Sequence, residues 1–505
     1  MTGSKGEIMT LRPEGTPTPY TAFHDEPFPE VFGHPTEAVV SADGQWLAVS
    51  SVISDLSRVV VYRTADLSCA QVLHFAMETD TMAFHPTLPL LAIGFDNGDG
   101  YTREGNLILL EPESGHRVDL PDTNWGVELV RWTDAHTLEL TLCAMDDGDT
   151  YERSRATFVR EDWLGLAPDD LAPHPVDAPL IDPDAQLPYP ELEPAPSVLQ
   201  ALAERAGRSY ACKGGVRAVA GLSDGRVLAT RRDTTLECRR SDGEVLWSVP
   251  APTAAPGTRI VVSADERTAR VSVPGPDSRT RTDFPLVDLA DGTVLDTPSV
   301  PFSAALSART DGVWAIRDTY DRDVYRMADP VPNTLVFAPD GTPLGAVYEP
   351  DRYELDPLDA RRCPELLFTR RRRRDVIALG PGAAGSAVET PLFTLDEPAI
   401  LAVYVSDAAG PALLTGWGEL VRRTFPAGEV VWRRPMDAVI AALDAYDGVV
   451  HALCEDDTLV SLDATDGTVL ERRTLPPYGK LSLHAAPDGT VLVGTTAGQI
   501  LRYPS

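Results

Sequence analysis

The feature that most constrains this chain is a turn that recurs about every forty residues. The turn is polar, usually reads Asp-Gly, and is followed at once by a short run of Val, Leu, Ala or Trp. Asp224 and Asp265 lie 41 residues apart, and Asp407, Asp447 and Asp488 follow one another at spacings of 40 and 41. A period in this range is typical of repeat proteins in which each unit is one small β-sheet.

A second turn near the end of several units predicts the number of strands in each unit. It reads Asp242-Gly243, Asp291-Gly292, Ala427-Gly428 and Asp466-Gly467, and each copy is followed by a valine-containing run. Glycine supplies the backbone freedom that a tight hairpin needs, and the Val- and Thr-rich runs between the turns have strand composition. We therefore predict an all-β fold of four-stranded antiparallel units, in which this second turn joins the third strand to the outer fourth strand.

At these turns, and at the stretch Leu462–Gly467, the sequence resembles the bacterial β-propellers of the WD40-like and quinoprotein-like (PQQ-like) repeat superfamily. The resemblance covers most of residues 36–505 and implies a β-propeller, for which seven or eight blades are favoured. Propellers usually hold about four to eight blades, so either some of the candidate turns are false or the chain forms two lobes. The ten candidates are centred on Asp43, Thr87, Asp134, Asp224, Asp265, Asp311, Pro364, Asp407, Asp447 and Asp488.

The repeat rhythm divides the chain into four parts. Residues 1–35 form an N-terminal extension, 36–165 the first blades, 166–208 an insert, and 209–505 the remaining blades. The last unit is one strand short, and a ring of the resembled kind would close by borrowing an N-terminal strand. We take Gly6–Leu11 as the candidate for that strand.

The insert combines a proline-rich stretch with one short helix. Residues 166–196 carry nine prolines and seven acidic residues without Lys or Arg. Because proline lacks the backbone donor and fixes the backbone angle φ, this stretch is predicted to run extended outside any sheet. Ser197 and Gln200 then form a capping box, and Gly207 ends the helix. Its apolar stripe is Leu199, Leu202, Ala203 and Ala206, which we interpret as a clip on the propeller rim, with a partner-docking helix as the alternative.

Three acidic loops that contain tyrosine form the candidate partner-binding site. Each lies between the predicted second and third strands of a unit, so repetition about an axis would bring all three to one face. Tyrosine offers rigid amphipathic contact area, and carboxylates select cationic partners. Solvated hairpin tips and calcium binding are the alternatives, although the spacing does not match a calcium-binding loop. The candidate residues are Asp96, Asp99, Tyr101, Asp146, Asp147, Asp149, Tyr151, Asp318, Tyr320, Asp321, Asp323 and Tyr325.

One basic block interrupts this acidic chain. It consists of Arg370, Arg371, Arg372, Arg373 and Arg374, between two apolar runs. We favour two interpretations: the arginines pair with neighbouring carboxylates, or the block forms a solvated hairpin. An acidic or phosphate-bearing ligand is a third, because arginine grips such groups in bidentate fashion.

The overall charge excludes several classes of partner. The chain has 76 Asp plus Glu against 44 Lys plus Arg, a formal net charge of −32. Such a surface repels nucleic acids and anionic membranes. No apolar run approaches the length of a membrane span, and the N-terminus lacks the apolar core of a signal peptide. We expect a cytoplasmic protein without a nucleic-acid or membrane partner.

Motifs of catalysis are missing from the sequence. The six cysteines stand singly, the nine histidines form no metal motif, and Gly380–Gly385 matches a dinucleotide-binding pattern without room for the helix that must follow it. We therefore predict no catalytic residues, cofactor or metal. The expected function is a non-enzymatic scaffold that binds a protein or peptide, whether basic or not. A propeller hydrolase such as a lactonase, and a structural subunit of a larger assembly, are the alternatives.

Overall fold

The computed structural model describes most of the chain. It covers residues 21–23, 27–31, 34–53, 56–75, 78–96, 105–119, 126–145, 151–167, 180–181, 193–210, 215–231, 234–252, 257–275, 281–318, 334–347, 356–358, 360–370, 374–382, 386–399, 401–476 and 479–504. The chain forms two compact units. Unit 1 comprises residues 1–15 and 26–212, and unit 2 comprises residues 16–25 and 213–505.

The first strand along the chain, β1 (Thr21–Phe23), belongs to unit 2, and the next twelve belong to unit 1. Unit 1 contains three four-stranded antiparallel sheets in chain order. Sheet 1 contains β2 (His34–Val40), β3 (Trp46–Ile53), β4 (Leu56–Arg63) and β5 (Cys69–Phe75). Sheet 2 contains β6 (Glu78–Phe84), β7 (Leu91–Asp96), β8 (Gly105–Leu110) and β9 (Arg117–Asp119). Sheet 3 contains β10 (Gly126–Trp132), β11 (Thr137–Met145), β12 (Tyr151–Val159) and β13 (Leu180–Ile181).

The helix α1 (Ala195–Arg205) packs on sheet 1. Leu199, Leu202 and Ala203 are buried with Leu47 and Tyr62 of the sheet, as the apolar stripe predicted. The helix therefore takes the place that a neighbouring sheet would occupy on this face. Ala206, the fourth residue of the predicted stripe, is exposed at the helix end.

The predicted capping box is wrong. Pro194 is the N-cap and makes no side-chain cap, whereas Ser197 lies inside the first turn. A helix can start here because proline is tolerated in the first turn, where backbone N–H groups lack partners in any case. The predicted end is correct: Gly207 has φ of +70°, its N–H donates to Glu204 O, and that of Arg208 donates to Ala203 O. This is the hydrogen-bond pattern of a Schellman motif.

The prediction that the proline-rich stretch joins no sheet is also wrong. Leu180 and Ile181 pair with Ser154 and Arg153 as the outer strand of sheet 3. Only these two residues, which are flanked by Pro179 and Pro183, form the strand. Its place at the sheet edge agrees with the rule that confines proline-flanked strands to edges.

Unit 2 opens with three further sheets. Sheet 4 contains β14 (Val219–Gly221), β15 (Val227–Arg231), β16 (Thr234–Arg239) and β17 (Val245–Pro250). Sheet 5 contains β18 (Arg259–Val262), β19 (Thr268–Pro274), β20 (Thr282–Asp283), β21 (Leu286–Asp288), β22 (Val294–Asp296) and β23 (Ser299–Val300). Sheet 6 contains β24 (Ala304–Ala308), β25 (Trp314–Asp318), β26 (Thr334–Phe337) and β27 (Pro343–Val347).

Four more sheets complete unit 2. Sheet 7 contains β28 (Asp356–Pro357), β30 (Leu366–Arg370), β31 (Asp375–Pro381) and β32 (Ala387–Thr394). Sheet 8 contains β29 (Ala360–Arg361), β33 (Leu401–Asp407), β34 (Gly410–Gly416), β35 (Glu419–Thr424) and β36 (Val430–Pro435). Sheet 9 contains β37 (Ile440–Tyr446), β38 (Val449–Cys454), β39 (Thr458–Asp463) and β40 (Val469–Thr474). Sheet 10 contains β41 (Lys480–Ala485), β42 (Val491–Thr495), β43 (Ile500–Tyr503) and, as its outer strand, β1.

The all-β prediction of repeated four-stranded antiparallel sheets is confirmed. Nine of the ten candidate turns fall between the first and second strands of a different sheet, and the turn at Asp407 joins β33 to β34 of sheet 8, where the short strand β29 is added in parallel before β33. None of the ten is false, and a division into two units accounts for all of them.

Consecutive sheets of unit 2 share clusters of buried apolar side chains. A further cluster joins Val219 and Val227 of sheet 4 with Leu492 and Ile500 of sheet 10. In addition, Ser482 Oγ donates a hydrogen bond of 3.0 Å to Val216 O, just before β14. The first sheet of unit 2 therefore packs against the last as well as against the second.

An N-terminal strand does complete the last sheet, but it lies later in the chain than predicted. Thr21, Ala22 and Phe23 pair antiparallel with Arg502, Leu501 and Ile500. The predicted Gly6–Leu11 lies outside the described residues. Only three residues pair with β43, and a stretch this short has no apolar pattern by which the sequence could reveal it.

Candidate functional site

The three acidic loops occupy the predicted position in their sheets. Two connect the second and third strands of sheets 2 and 3 in unit 1, and the third does so in sheet 6 of unit 2. Asp96, Tyr151 and Asp318 lie at the strand ends that flank the loops. The other candidates lie outside the described residues: Asp99, Tyr101, Asp146, Asp147, Asp149, Tyr320, Asp321, Asp323 and Tyr325.

The arginine block begins at the end of β30 and precedes β31, with which β30 pairs. Arg370 Nη2 donates a hydrogen bond of 2.7 Å to Glu389 Oε1, and Arg374 N donates to Arg370 O. Arg371, Arg372 and Arg373 lie outside the described residues. At Arg370 the structure therefore shows the pairing with a neighbouring carboxylate.

A cavity of about 360 Å³ lies in unit 2, at the end of the sheets that carries the first and third turns. In a four-stranded antiparallel sheet the first and third turns lie at one end and the second turn at the opposite end. The cavity is lined by Ala264, Thr310 and Pro487 from first turns and by Pro339 from a third turn. Asp318 and Arg370 end the second strands of sheets 6 and 7, so both lie at the end away from the cavity.

A short segment carries two arginines to the cavity. Strand β29 pairs in parallel with β33, so Ala360 and Arg361 lie beside the first long strand of sheet 8. Arg362 follows with φ of +61°, a left-handed conformation that a non-glycine residue seldom adopts. Backbone strain of this kind persists only where surrounding contacts enforce it.

Arg361 is held by a buried acid and a histidine. Its Nη1 lies 2.8 Å from Asp444 Oδ2, 2.8 Å from Leu483 O and 2.9 Å from His484 Nδ1. His484 Nδ1 also lies 3.0 Å from Asp444 Oδ2. This nitrogen can accept from Arg361 or donate to Asp444, but it cannot do both, because each ring nitrogen of a neutral imidazole has a single role.

Burial and the neighbouring charges together determine the protonation states in this network. Burial alone would raise the pKa of Asp444, but Arg361, His484 and Arg362 lower the pKa more, so the carboxylate is ionised. Burial lowers the pKa of His484, and the Asp444 carboxylate opposes this only in part. At neutral pH the network therefore consists of a neutral histidine, an anionic aspartate and two arginines.

Arg362 has spare hydrogen-bonding capacity. Its Nη2 donates a hydrogen bond of 2.7 Å to Ala485 O, and its guanidinium lies over the Tyr446 ring at 4.9 Å. Its Nη1 is buried without a hydrogen-bond partner among the described residues, and Asp444 Oδ1 lies 3.9 Å away. Arg362 lines the cavity and also a neighbouring one of about 470 Å³.

Arg270 is the second guanidinium with an unused donor. The residue is only 4% exposed, and Nη1 donates a hydrogen bond of 2.9 Å to Phe284 O. The guanidinium lies 4.3 Å from the Trp314 ring, which itself stacks on Phe337 at 4.2 Å. Nη2 is buried and has no hydrogen-bond partner in the part of the chain that the structure describes.

Desolvation dominates the electrostatics of Arg270. Burial lowers its pKa, and the attraction of Asp296 compensates only in part. A buried guanidinium donor without an acceptor destabilises the folded state, because its hydration is lost and not replaced. An anion in the cavity would supply the missing acceptor.

The cavity as a whole is cationic in a strongly acidic chain. It is lined by five arginines and one carboxylate, that of Glu266. Glu266 accepts hydrogen bonds from Ser223 N and Oγ, and Arg309 binds Asp311 through two nitrogens. The rest of the wall is largely apolar. The five arginines are Arg259, Arg270, Arg309, Arg361 and Arg362.

Sequence reasoning missed every one of these cavity residues. The only local signal is the Arg361–Arg362 doublet, whereas Arg259, Arg270 and Arg309 are spread over sheets 5 and 6. Among the described residues no group of three or more His, Cys, Asp or Glu is placed to hold a metal ion. The glycine-rich Gly380–Gly385 belongs to the β31–β32 hairpin, where Gly382 N donates to Ser386 O, and β32 follows where a dinucleotide site would have a helix.

Within the described ranges, no helix is both long and apolar enough to cross a membrane. Comparison of the sequence with protein-family models finds no match, and comparison with curated proteins finds none either.

Proposed function

We propose that unit 2 is a closed β-propeller of seven blades, with sheets 4 to 10 arranged in order about an axis. Two observations support the closure: the buried cluster shared by sheets 4 and 10, and the strand β1 that completes sheet 10 from the opposite end of the chain. A propeller built in this way leaves only short strand edges and presents a rigid surface.

We further propose that the protein is a non-enzymatic scaffold that binds an anionic ligand or an acidic partner in the arginine-lined cavity. The observation that carries this proposal is that Arg270 and Arg362 line the cavity and each has a buried donor, Nη2 and Nη1 respectively, with no hydrogen-bond partner among the described residues. Native proteins satisfy nearly all buried polar groups, and exceptions concentrate at functional sites. The three acidic loops remain a proposed second surface, for a basic protein or peptide.

Isothermal titration tests the proposal with two small acids, benzoate and hexanoate, and their neutral amides. We expect the acids to bind and the amides not to bind. Arg270→Gln and Arg362→Gln should each weaken binding by about tenfold or more, because hydrogen bonds to charged groups contribute about 1.5–3 kcal/mol.

Arg267→Gln is the matched control, because the Arg267 side chain is 84% exposed on a neighbouring turn. It should bind the acids like the wild type. Equal binding of acids and amides by the wild-type protein would contradict the proposal.

A hydrolase is the second candidate function, and the contact between His484 and Asp444 favours it. A carboxylate that orients a histidine is the usual partner of a general base. Arg361 contacts the same imidazole nitrogen, however, and competes with that arrangement. Hydrolysis of an ester or lactone that is abolished in His484→Gln while anion binding persists would establish the enzyme over the scaffold.

A further inference from the structure

The two unused donors lie on different sides of one cavity. Arg270 is anchored on β19 of sheet 5 and stacks on Trp314 of sheet 6. Arg362 is anchored by Ala485 of sheet 10 and lies over Tyr446 of sheet 9. Each guanidinium is therefore held by its own pair of sheets, and neither anchor involves the other.

Apolar side chains make up much of the rest of the cavity lining. Val219 and Ala220 of sheet 4, Ile260 of sheet 5 and Pro487 of sheet 10 line the cavity. An apolar wall favours a ligand body without polar groups, since unpaired polar atoms there would lose their hydration. A volume of about 360 Å³ lies at the lower end of the range for small-molecule sites and suits a small molecule.

Resting on the proposed function, we infer that the ligand is a small organic dianion with one acidic group on Arg270, a second on Arg362, and an apolar body between them. Each acidic group supplies the acceptor that one guanidinium lacks. The planar fork of arginine suits a carboxylate, which it can bind through two parallel hydrogen bonds. The flat face of Arg270 lies against Trp314 and Nη1 is bound to Phe284 O, so Nη2 is the donor that the proposed acidic group would bind.

The test uses the full chain and a series of linear dicarboxylates from succinate to suberate, each compared with its own monomethyl ester. The ester keeps the length and the apolar body but removes one charge. For the chain length that fits best, we expect the diacid to bind about tenfold or more tightly than its ester, which is the contribution of one charged hydrogen bond.

Variants assign the two charges to the two arginines. In Arg270→Gln and in Arg362→Gln the advantage of the diacid over its ester should disappear, whereas Arg267→Gln should keep it. Circular dichroism shows whether each variant is folded. If a glutamine variant fails to fold, the lysine variant replaces it, with a reduced advantage expected because lysine lacks the planar fork.

Different failures separate this inference from the proposed function. If diacid and ester bind equally well, and both need Arg270, the ligand is not a dianion but the cavity still binds anions. If inorganic phosphate binds as tightly as the best diacid, the apolar body has no role and the inference is wrong. If the folded wild-type protein binds none of these anions, the inference and the proposed function both fail.

Discussion

The aspartate that opens each repeat acts on the backbone of its own turn. Asp43 Oδ1 accepts a hydrogen bond of 3.0 Å from Gln45 N, and Asp224, Asp311 and Asp488 make the same contact two residues ahead. Asparagine or aspartate side chains in this role stabilise tight turns. The recurrence of Asp-Gly in the sequence therefore reflects turn chemistry at each site, independent of any ligand.

A first prediction at the residue scale concerns Arg270. Because its guanidinium is buried without a carboxylate bound to it, Arg270→Met should leave the free energy of unfolding within about 1 kcal/mol of the wild type, or raise it. Urea denaturation without ligand measures this. The same variant should lose anion binding, as expected where function requires a destabilising group.

Arg422→Met is the control for this prediction. Arg422 is equally buried, but it binds both carboxylate oxygens of Asp407 at 2.5 and 2.8 Å. Its removal should cost about 3–5 kcal/mol, because the largely buried Asp407 carboxylate loses its cationic partner. A similar large loss in Arg270→Met would show that the Arg270 guanidinium is satisfied without a ligand.

A second prediction concerns His451, whose pKa is lowered by burial to about 4. Since the unfolded chain binds this proton near pH 6.5, the contribution of His451 to stability is complete above that pH and is lost as the pH falls toward 4. Between pH 7.5 and 5 we expect a loss of about 2 kcal/mol from this group. Urea denaturation at both pH values measures it, and a loss that is unchanged in His451→Gln would contradict the assignment.

At the scale of elements, the turn between the third and fourth strands also makes the contact between sheets. A Cβ added to Gly292 would lie 2.8 Å from Trp247 of the preceding sheet, and one added to Gly467 would lie 3.0 Å from Trp432. At Gly428 the nearest atom, Phe393 Cγ, would be 2.2 Å away. The glycine is needed for its positive φ and also because an aromatic ring occupies the space above it.

A third prediction separates these two requirements. Gly428 and Gly448 have φ of +79° and +77°, but a Cβ at Gly448 would meet no atom within 4 Å. Gly448→Ala should therefore lose only the backbone term, about 1–2 kcal/mol. Gly428→Ala should lose roughly 1–3 kcal/mol more through overpacking against Phe393. Thermal or urea unfolding measures both, and equal losses would show that the ring moves aside without cost.

In unit 1 the outer faces of the first and last sheets are covered or polar. Helix α1 covers the free face of sheet 1. On sheet 3 the strand β12 turns Arg155, Thr157 and Val159 away from the core that contains Ala156, and all three are exposed. A helix at one end and a mostly polar face at the other act as the caps that repeat arrays require.

At the scale of the whole molecule, unit 1 is inserted into unit 2. The chain makes β1 of sheet 10, then residues 26–212 of unit 1 with all three of its sheets, and only then β14. The two ends of unit 2 are therefore joined by hydrogen bonds between β1 and β43, with no covalent link. The outer strand of sheet 10 is therefore only three residues long, and the proposed closure of unit 2 depends on it.

A fourth prediction follows from this closure. Removing residues 1–25 should destabilise unit 2 by about 2–4 kcal/mol, since a net contribution near 1 kcal/mol is typical of each hydrogen bond. Protection of the sheet 10 amides from hydrogen exchange measures the loss, and the amides of sheet 2 serve as the internal reference. Removing residues 1–15 should leave the protection unchanged. A loss in that shorter deletion would restore Gly6–Leu11 as the closing strand.

The sequence predicted the parts of the fold that depend on neighbouring residues. The turns at Asp224 and Gly243, and the buried stripe with Leu199 and Leu202, could be read because each depends on side chains a few positions apart. The strand at Leu180–Ile181 and the closing strand at Thr21–Phe23 could not, because both are short edges defined by their distant partners. The cavity escaped prediction for the same reason.

What the sequence alone determined is the all-β architecture and the positions of the candidate turns, because turn and strand chemistry act over two to ten residues. That all ten turns are real, in two units, came from the structure. Only the tertiary structure decided that sheet 4 meets sheet 10 and that Arg270, Arg362 and His484 share one cavity. These residues are separated by about a hundred positions each. Their meeting depends on how the sheets pack, and no local pattern carries that information.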